Sequence, residues 1–246
     1  RPMIGLPFDP ALTVLLVAIA FLSGIGITTI GPGGIFVTIA LYSLTPLASN
    51  QIAGTAHATF VLTGLVGSAA YLRSGEIRTG EGRTLAIVLS LSSVLGALAG
   101  AATNAVVSRA VFGALLGSVA NLVGAVILYR VRRGFGPGYA LEVDAATGRL
   151  ALGTLGFGLG VASGLLGIGG PVLAVPALVL VGVSMLRAVA VAQMQSIFIA
   201  AFATAGYAFQ ACSFHWQSSS APRCCSASSF WRSGRTWRCD WESGRR

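Results

Sequence analysis

Gly167-Ile168-Gly169-Gly170 interrupts an apolar stretch long enough to cross a membrane, and Gly31-Pro32-Gly33-Gly34 does the same 136 residues earlier. Sliding the chain on itself by that offset also pairs Gly24 with Gly160, Ala56 with Ala192 and Tyr71 with Tyr207. Each signature follows a hydrophobic run and precedes a short one, after which comes a helix-length segment. An internal repeat at membrane depth, with glycine breaks at matching places, predicts a transporter whose binding site lies between two halves.

The composition agrees. Of 246 residues, 54% are hydrophobic and 9% charged, with a mean hydropathy of +0.81; a water-soluble domain averages about a quarter charged. The formal charge of +9 does not mark a nucleic-acid binder. There is no lysine, and the arginines fall between apolar runs rather than along one face.

A bilayer core needs about 20 apolar residues per helix. Segments of that order are 11–31, 51–72, 84–102, 111–129, 150–168 and 188–210, and two shorter runs, 34–47 and 171–185, follow the signatures. Residues 11–22 have the length of a signal peptide, but the run continues to Ile30 and recurs mid-chain, so a span is expected. A chain that starts at Arg1 rather than Met reads as trimmed. Loop 73–83 carries Arg73, Arg78 and Arg83; loop 130–149 carries Arg130, Arg132, Arg133 and Arg149. Two spans separate them, so both are expected on the cytoplasmic side, leaving Arg109 as a lone outside arginine. If every segment crosses, five crossings separate the signatures and the repeats are inverted, as in alternating-access carriers. Gly96-xxx-Gly100, Gly113-xxx-Gly117 and Gly160-xxx-Gly164 are expected to be helix-packing faces, and Asn121 to bond a neighbouring helix.

The glycines also suggest chemistry. A half-helix starting after Gly34 or Gly170 aims unpaired N–H groups and a positive dipole end inward, which binds a small anion without a full charge in lipid. Gly31, Gly33, Gly34, Gly167, Gly169 and Gly170 are therefore candidate substrate-binding residues. Polar side chains in apolar spans are the next candidates. Asn50, Gln51, Thr55, His57 and Thr59 cluster in the first repeat, and Gln193, Gln195 and Ser196 in the second. The offset places His57 opposite Gln193 and Thr59 opposite Gln195. Thr55, His57, Gln193 and Gln195 are the side chains assigned to the pathway. His57 has two readings: a carrier of a coupling proton, or a neutral imidazole bonded to a neighbouring helix.

The signatures, Ala53-Gly-Thr-Ala56 and the run Ser163-Gly-Leu-Leu-Gly-Ile-Gly-Gly-Pro-Val-Leu-Ala-Val-Pro176 together resemble the sulfite exporter TauE/SafE family over about residues 11–210. Pro32 inside the first glycine run is a small departure. The resemblance implies a multi-pass permease for sulfur-containing anions such as sulfite, thiosulfate or sulfonates.

Enzyme chemistry finds no support. Gly158-x-Gly160-x-x-x-Gly164 lacks dinucleotide-binding spacing, no phosphate loop is present, and Asp9, Glu76, Glu81, Glu142 and Asp144 read as loop acids. No catalytic residue, cofactor or metal is expected.

All four cysteines and all four tryptophans lie after residue 211, and residues 212–246 hold six of the sixteen arginines and nine serines. By the offset, the helix at 84–102 recurs at 220–238. Read one nucleotide earlier, Trp and Cys codons become Leu, Val or Met, TCN serine codons become apolar, and CGN arginine codons become small residues. The tail reads as a frameshifted translation in which Cys, Trp and His215 carry no function, and the ninth and tenth segments expected from symmetry are missing.

The sequence therefore predicts an all-α, polytopic membrane helix bundle with an inverted repeat and glycine-broken or re-entrant helices. Residues 1–129 form the first repeat, 130–149 a cytoplasmic basic loop, 150–211 an incomplete second repeat and 212–246 an aberrant tail. Its expected work is secondary transport of small sulfur-containing anions across the cell membrane, with lipid, the anion and protons as partners and no nucleic acid. A passive anion channel and an inactive truncated remnant are the rival readings.

Overall fold

The computed structural model describes residues 10–29, 31–74, 80–133 and 146–218, and all regular structure among them is helical. In chain order the helices are α1 (Pro10–Thr29), α2 (Ile35–Leu44), α3 (Ser49–Ser74), α4 (Gly80–Asn104), α5 (Arg109–Arg133), α6 (Ala146–Leu166), α7 (Gly170–Leu180) and α8 (Met185–Ser218). A single 3₁₀ turn, Pro32–Gly34, leads into α2. Among the described residues six helices are long and apolar enough to cross a membrane, with mean hydropathy between 1.3 and 2.3. In lipid such segments become helices because every backbone N–H and C=O has to be satisfied within the segment.

The helix starts repeat with the sequence. Ile35 and Ser49 open α2 and α3, and Gly170 and Met185 open α7 and α8 at the same offset to within one residue. Direction is inverted between the units. Gly54, Gly64 and Gly67 on α3 face Tyr207, Ile197 and Gln193 on α8, so these equivalent helices run antiparallel. The half-helices do too: Gly31 meets Val175, Gly34 meets Ile168, and the Thr38 hydroxyl donates to the Gly167 carbonyl.

Small residues hold α4 against α6. Gly156 packs on Leu89, Gly160 on Ser93 and Gly164 on Ala97, each against main chain, so these two helices run parallel. Gly96 and Gly100 return the contact against Phe157, Val161 and Leu165. Close backbone approach is the source of helix affinity in lipid, where apolar side chains gain nothing by leaving the solvent. The third expected packing face is half right. Gly113 packs on the Tyr42 ring, but a Cβ at Gly117 would meet nothing within 4 Å. Asn121 does not reach another helix; its amide donates to Gly117 O one turn back, 2.9 Å away.

Arg109 is the exception that charge counting flagged, and geometry supplies its task. Its guanidinium donates to the carbonyls of Leu47, Tyr42 and Thr45 and lies 4.8 Å from the Tyr42 ring centroid. It thus caps the last turn of α2, where a cation offsets the negative dipole end. Glu81 sits in the first turn of α4 rather than in a loop. At the other end of the chain, α8 is helical past residue 212, through Ser218; the rest of the tail that the sequence reads as frameshifted, residues 219–246, lies outside the described residues, as do residues 134–145.

Candidate functional site

Both glycine signatures break the chain. Gly31 has φ +98°, Gly167 φ +65° and Gly169 φ +74°, values that disfavour a Cβ. Pro32 and Pro171 then sit at the starts of the following helical segments, where a missing N–H costs nothing. At Gly33 a Cβ would lie 2.5 Å from the Gly26 carbonyl carbon, and at Gly167 2.6 Å from the Ala53 Cα. These positions need glycine for closeness as well as for conformation. The short helices that follow have 10 and 11 residues, a rise of about 15 Å, or half of a ~30 Å hydrocarbon core. Neither is long enough to cross by itself.

A broken helix leaves bare carbonyls behind it and bare amides ahead of it. The two ends are treated oppositely here. The carbonyl ends are covered by side chains from α3, α4 and α8. His57 Nε2 lies 3.1 Å from Ser163 O, and because a carbonyl only accepts, that nitrogen carries the proton. Tyr207 donates to Gly164 O at 2.7 Å and Asn104 to Leu165 O at 2.6 Å. In the other unit Gln193 donates to Ile27 O at 2.8 Å and Tyr71 to Thr28 O at 2.8 Å. Donors and acceptors keep the repeat offset: His57 with Gln193, Tyr71 with Tyr207, Ser163 with Ile27, Gly164 with Thr28. The amide ends are built differently. The cap positions of the turn before α2, of α2 and of α7 are glycines, Gly31, Gly34 and Gly169, which bring no side-chain cap.

The six candidate glycines are all buried; Gly31 and Gly34 face Val175 and Ile168 of the other unit, whereas Gly33 packs on Gly26 of α1, Gly167 and Gly169 on Ala53 and Phe60 of α3, and Gly170 on Ser196 of α8. His57, Gln193 and Gln195 are fully buried at 0% exposure. His57 and Gln193 are committed through one nitrogen each, while His57 Nδ1, Gln193 Oε1 and both heteroatoms of Gln195 have no protein partner. Gln195 adjoins Ser196, and the turn Ala192–Ser196 is where Gly170 packs at the start of α7. Thr55 does not join them: it is exposed and lines, with Thr59, a groove against Leu16 and Ala20 of α1 and Val37 and Leu41 of α2. Asn50 and Gln51 stay at the start of α3, where Gln51 accepts the Ala48 N–H at 3.1 Å.

Sequence reasoning missed Ser163, Thr38 and Asn104. Tyr71 and Tyr207 were visible as a repeat pair, and their shared distance from a glycine break was the signal of their shared task. Among the described residues no three His, Cys, Asp or Glu side chains gather as metal ligands.

No curated protein and no solved structure matches the chain. The family model for the sulfite exporter TauE/SafE matches residues 13–222, from within α1 to beyond the described end of α8. With its six membrane-length helices, its two glycine-broken hairpins and this match, the chain belongs to the sulfite exporter TauE/SafE family of membrane transporters.

Proposed function

We propose that the protein is a secondary carrier for a small sulfur oxyanion of the sulfite, thiosulfate or sulfonate class, working in the cell membrane. It binds the anion between two repeats, 1–129 and 150–211; of the segment 130–149 expected to join them as a basic loop, residues 130–133 belong to α5 and 146–149 to α6, so Arg130, Arg132, Arg133 and Arg149 lie on helices. The observation that carries this reading is the unequal treatment of the helix breaks. Carbonyl ends, which attract cations, are covered by His57, Tyr207, Asn104, Gln193 and Tyr71. Amide ends, which attract anions, have no side-chain cap. Gly31, Gly33 and Gly34 shape one such end and Gly167, Gly169 and Gly170 the other. The antiparallel packing of α3 on α8 gives the two units the inverted relation that alternating access uses.

Purified protein in liposomes tests this. Labelled sulfite flux that saturates with concentration and accelerates when unlabelled anion waits on the far side supports a carrier. Flux that rises linearly without such exchange points to a passive channel, and no flux of any sulfur oxyanion rejects both.

A further inference from the structure

We propose that the anion is taken as a singly charged species carrying its own hydrogen, such as hydrogensulfite, and that Gln195 is the side chain that reads that hydrogen. This rests on the carrier function proposed above and adds the protonation state of its substrate.

Gln195 lies on α8 between Val191 and Ile199, one turn away on either side. Val191 belongs to the same buried cluster as Leu89 of α4, Leu152 of α6 and Leu178 of α7, and Ile199 to the cluster that holds Ala97 of α4, Leu166 of α6 and Val172 of α7. Side chains four apart share a helix face, so Gln195 projects into the wedge among α4, α6 and α7, level with the first turns of α7. Gly170 opens α7 against the same turn of α8. Gln195 is 0% exposed, and neither its amide nitrogen nor its amide oxygen has a partner. A buried amide left bare on both atoms carries the desolvation cost of each, a cost that a bound solute with both an acceptor and a donor would relieve. The α7 amides offer donors only. The Gln195 oxygen, which can only accept, therefore asks for a hydrogen on the ligand.

Charge argues the same way. Arg73, Arg83, Arg109, Arg130, Arg132, Arg133, Arg149 and Arg187 all lie within five residues of an end of their helices. On the elements around the wedge, the titratable groups are Glu81 and Arg83 of α4, Arg149 of α6, and Arg187, Tyr207, Cys212 and His215 of α8; α7 has none, and α3 beyond adds His57, Tyr71 and Arg73. Tyr207 and His57 are bonded to main-chain carbonyls. At mid-depth the positive field comes from helix ends of about half a charge each. The cost of burying an ion grows with the square of its charge, so such a field suits a monoanion and not a dianion.

The test is initial uptake into proteoliposomes of sulfite, sulfate and methanesulfonate at several values of external pH. Sulfite uptake is expected to follow the hydrogensulfite fraction, falling about tenfold per pH unit once the second dissociation is passed. Sulfate is expected to move at least tenfold more slowly, and methanesulfonate, a monoanion with no acidic hydrogen, to show no pH dependence. Gln195→Leu is expected to lower hydrogensulfite uptake at least tenfold and methanesulfonate uptake much less. Sulfite uptake that ignores pH, or sulfate carried as fast as sulfite, overturns the proposal while leaving a sulfur-anion carrier standing; absence of any flux removes both. The wild-type pH profile decides even if the variant does not fold.

Discussion

His57 and Gln193, 136 residues apart, perform one task in two copies: each donates from a side-chain nitrogen to a carbonyl in the last turn of a broken helix, Ser163 O at 3.1 Å and Ile27 O at 2.8 Å. An amide that does not titrate does in one repeat what the imidazole does in the other. That equivalence makes His57 a neutral positioning residue and moves the proton to the substrate. His57→Gln is accordingly expected to keep the pH dependence of sulfite flux. Loss of that dependence, in protein that still reaches the membrane, would restore the imidazole as the proton carrier.

The two bonds differ in what they leave behind. Ser163 O also accepts the Gly167 amide at 2.8 Å, whereas the Gly31 amide bypasses Ile27 and bonds Gly26 O at 3.1 Å. Gln193→Leu therefore strands a buried carbonyl and is expected to destabilise the protein by about 1–2 kcal/mol. His57→Leu should cost less than half of that. Urea or SDS unfolding of both variants in the same detergent checks the order.

Glycine substitutions should split by contact. At Gly160 a Cβ would press on the main chain of Ser93, 2.8 Å from its Cα, and α4 has to move away from α6. Gly160→Ala is expected to cost about 2 kcal/mol or more. At Gly24 and Gly117 a Cβ meets nothing within 4 Å, so alanine there should be neutral or stabilise by up to ~1 kcal/mol through helix propensity. Thermal unfolding in detergent ranks the three.

Gly169→Ala addresses the site itself. Its φ of +74° with ψ 153° is a region that side chains avoid, and the new Cβ would lie 3.1 Å from the Phe60 ring. The start of α7 then shifts, and sulfite flux is expected to fall more than tenfold in protein that remains folded. Wild-type flux in this variant would separate the α7 amides from anion binding.

Arg109→Lys keeps the charge and loses the fork. One ammonium cannot hold the carbonyls of Tyr42, Thr45 and Leu47 together from the same position. The expected cost is about 1–2 kcal/mol of stability, read as a lower melting temperature, with a larger fall for Arg109→Met.

Much of this protein was legible one residue at a time. Apolar runs of fixed length dictated six spans, because lipid offers the backbone no partner. The glycines at 31–34 and 167–170 dictated where helices stop, since positive φ and backbone contact tolerate no Cβ. The 136-residue offset dictated the duplication, while its inversion followed from the sequence only on the premise that every segment crosses, and it is the antiparallel packing of α3 on α8 that carries it. What no residue announced was partnership across the bundle. Thr55 and His57 are two positions apart on one helix, and only the packing of α3 sends the first to an exposed groove and the second to the Ser163 carbonyl. Gln193 and Gln195 look alike in sequence, yet the helix turns them to different sides, so one amide closes a carbonyl end and the other is left bare in the core. Which polar atoms are spent and which remain for a solute depends on neighbours far away in the chain, and those are decided in three dimensions.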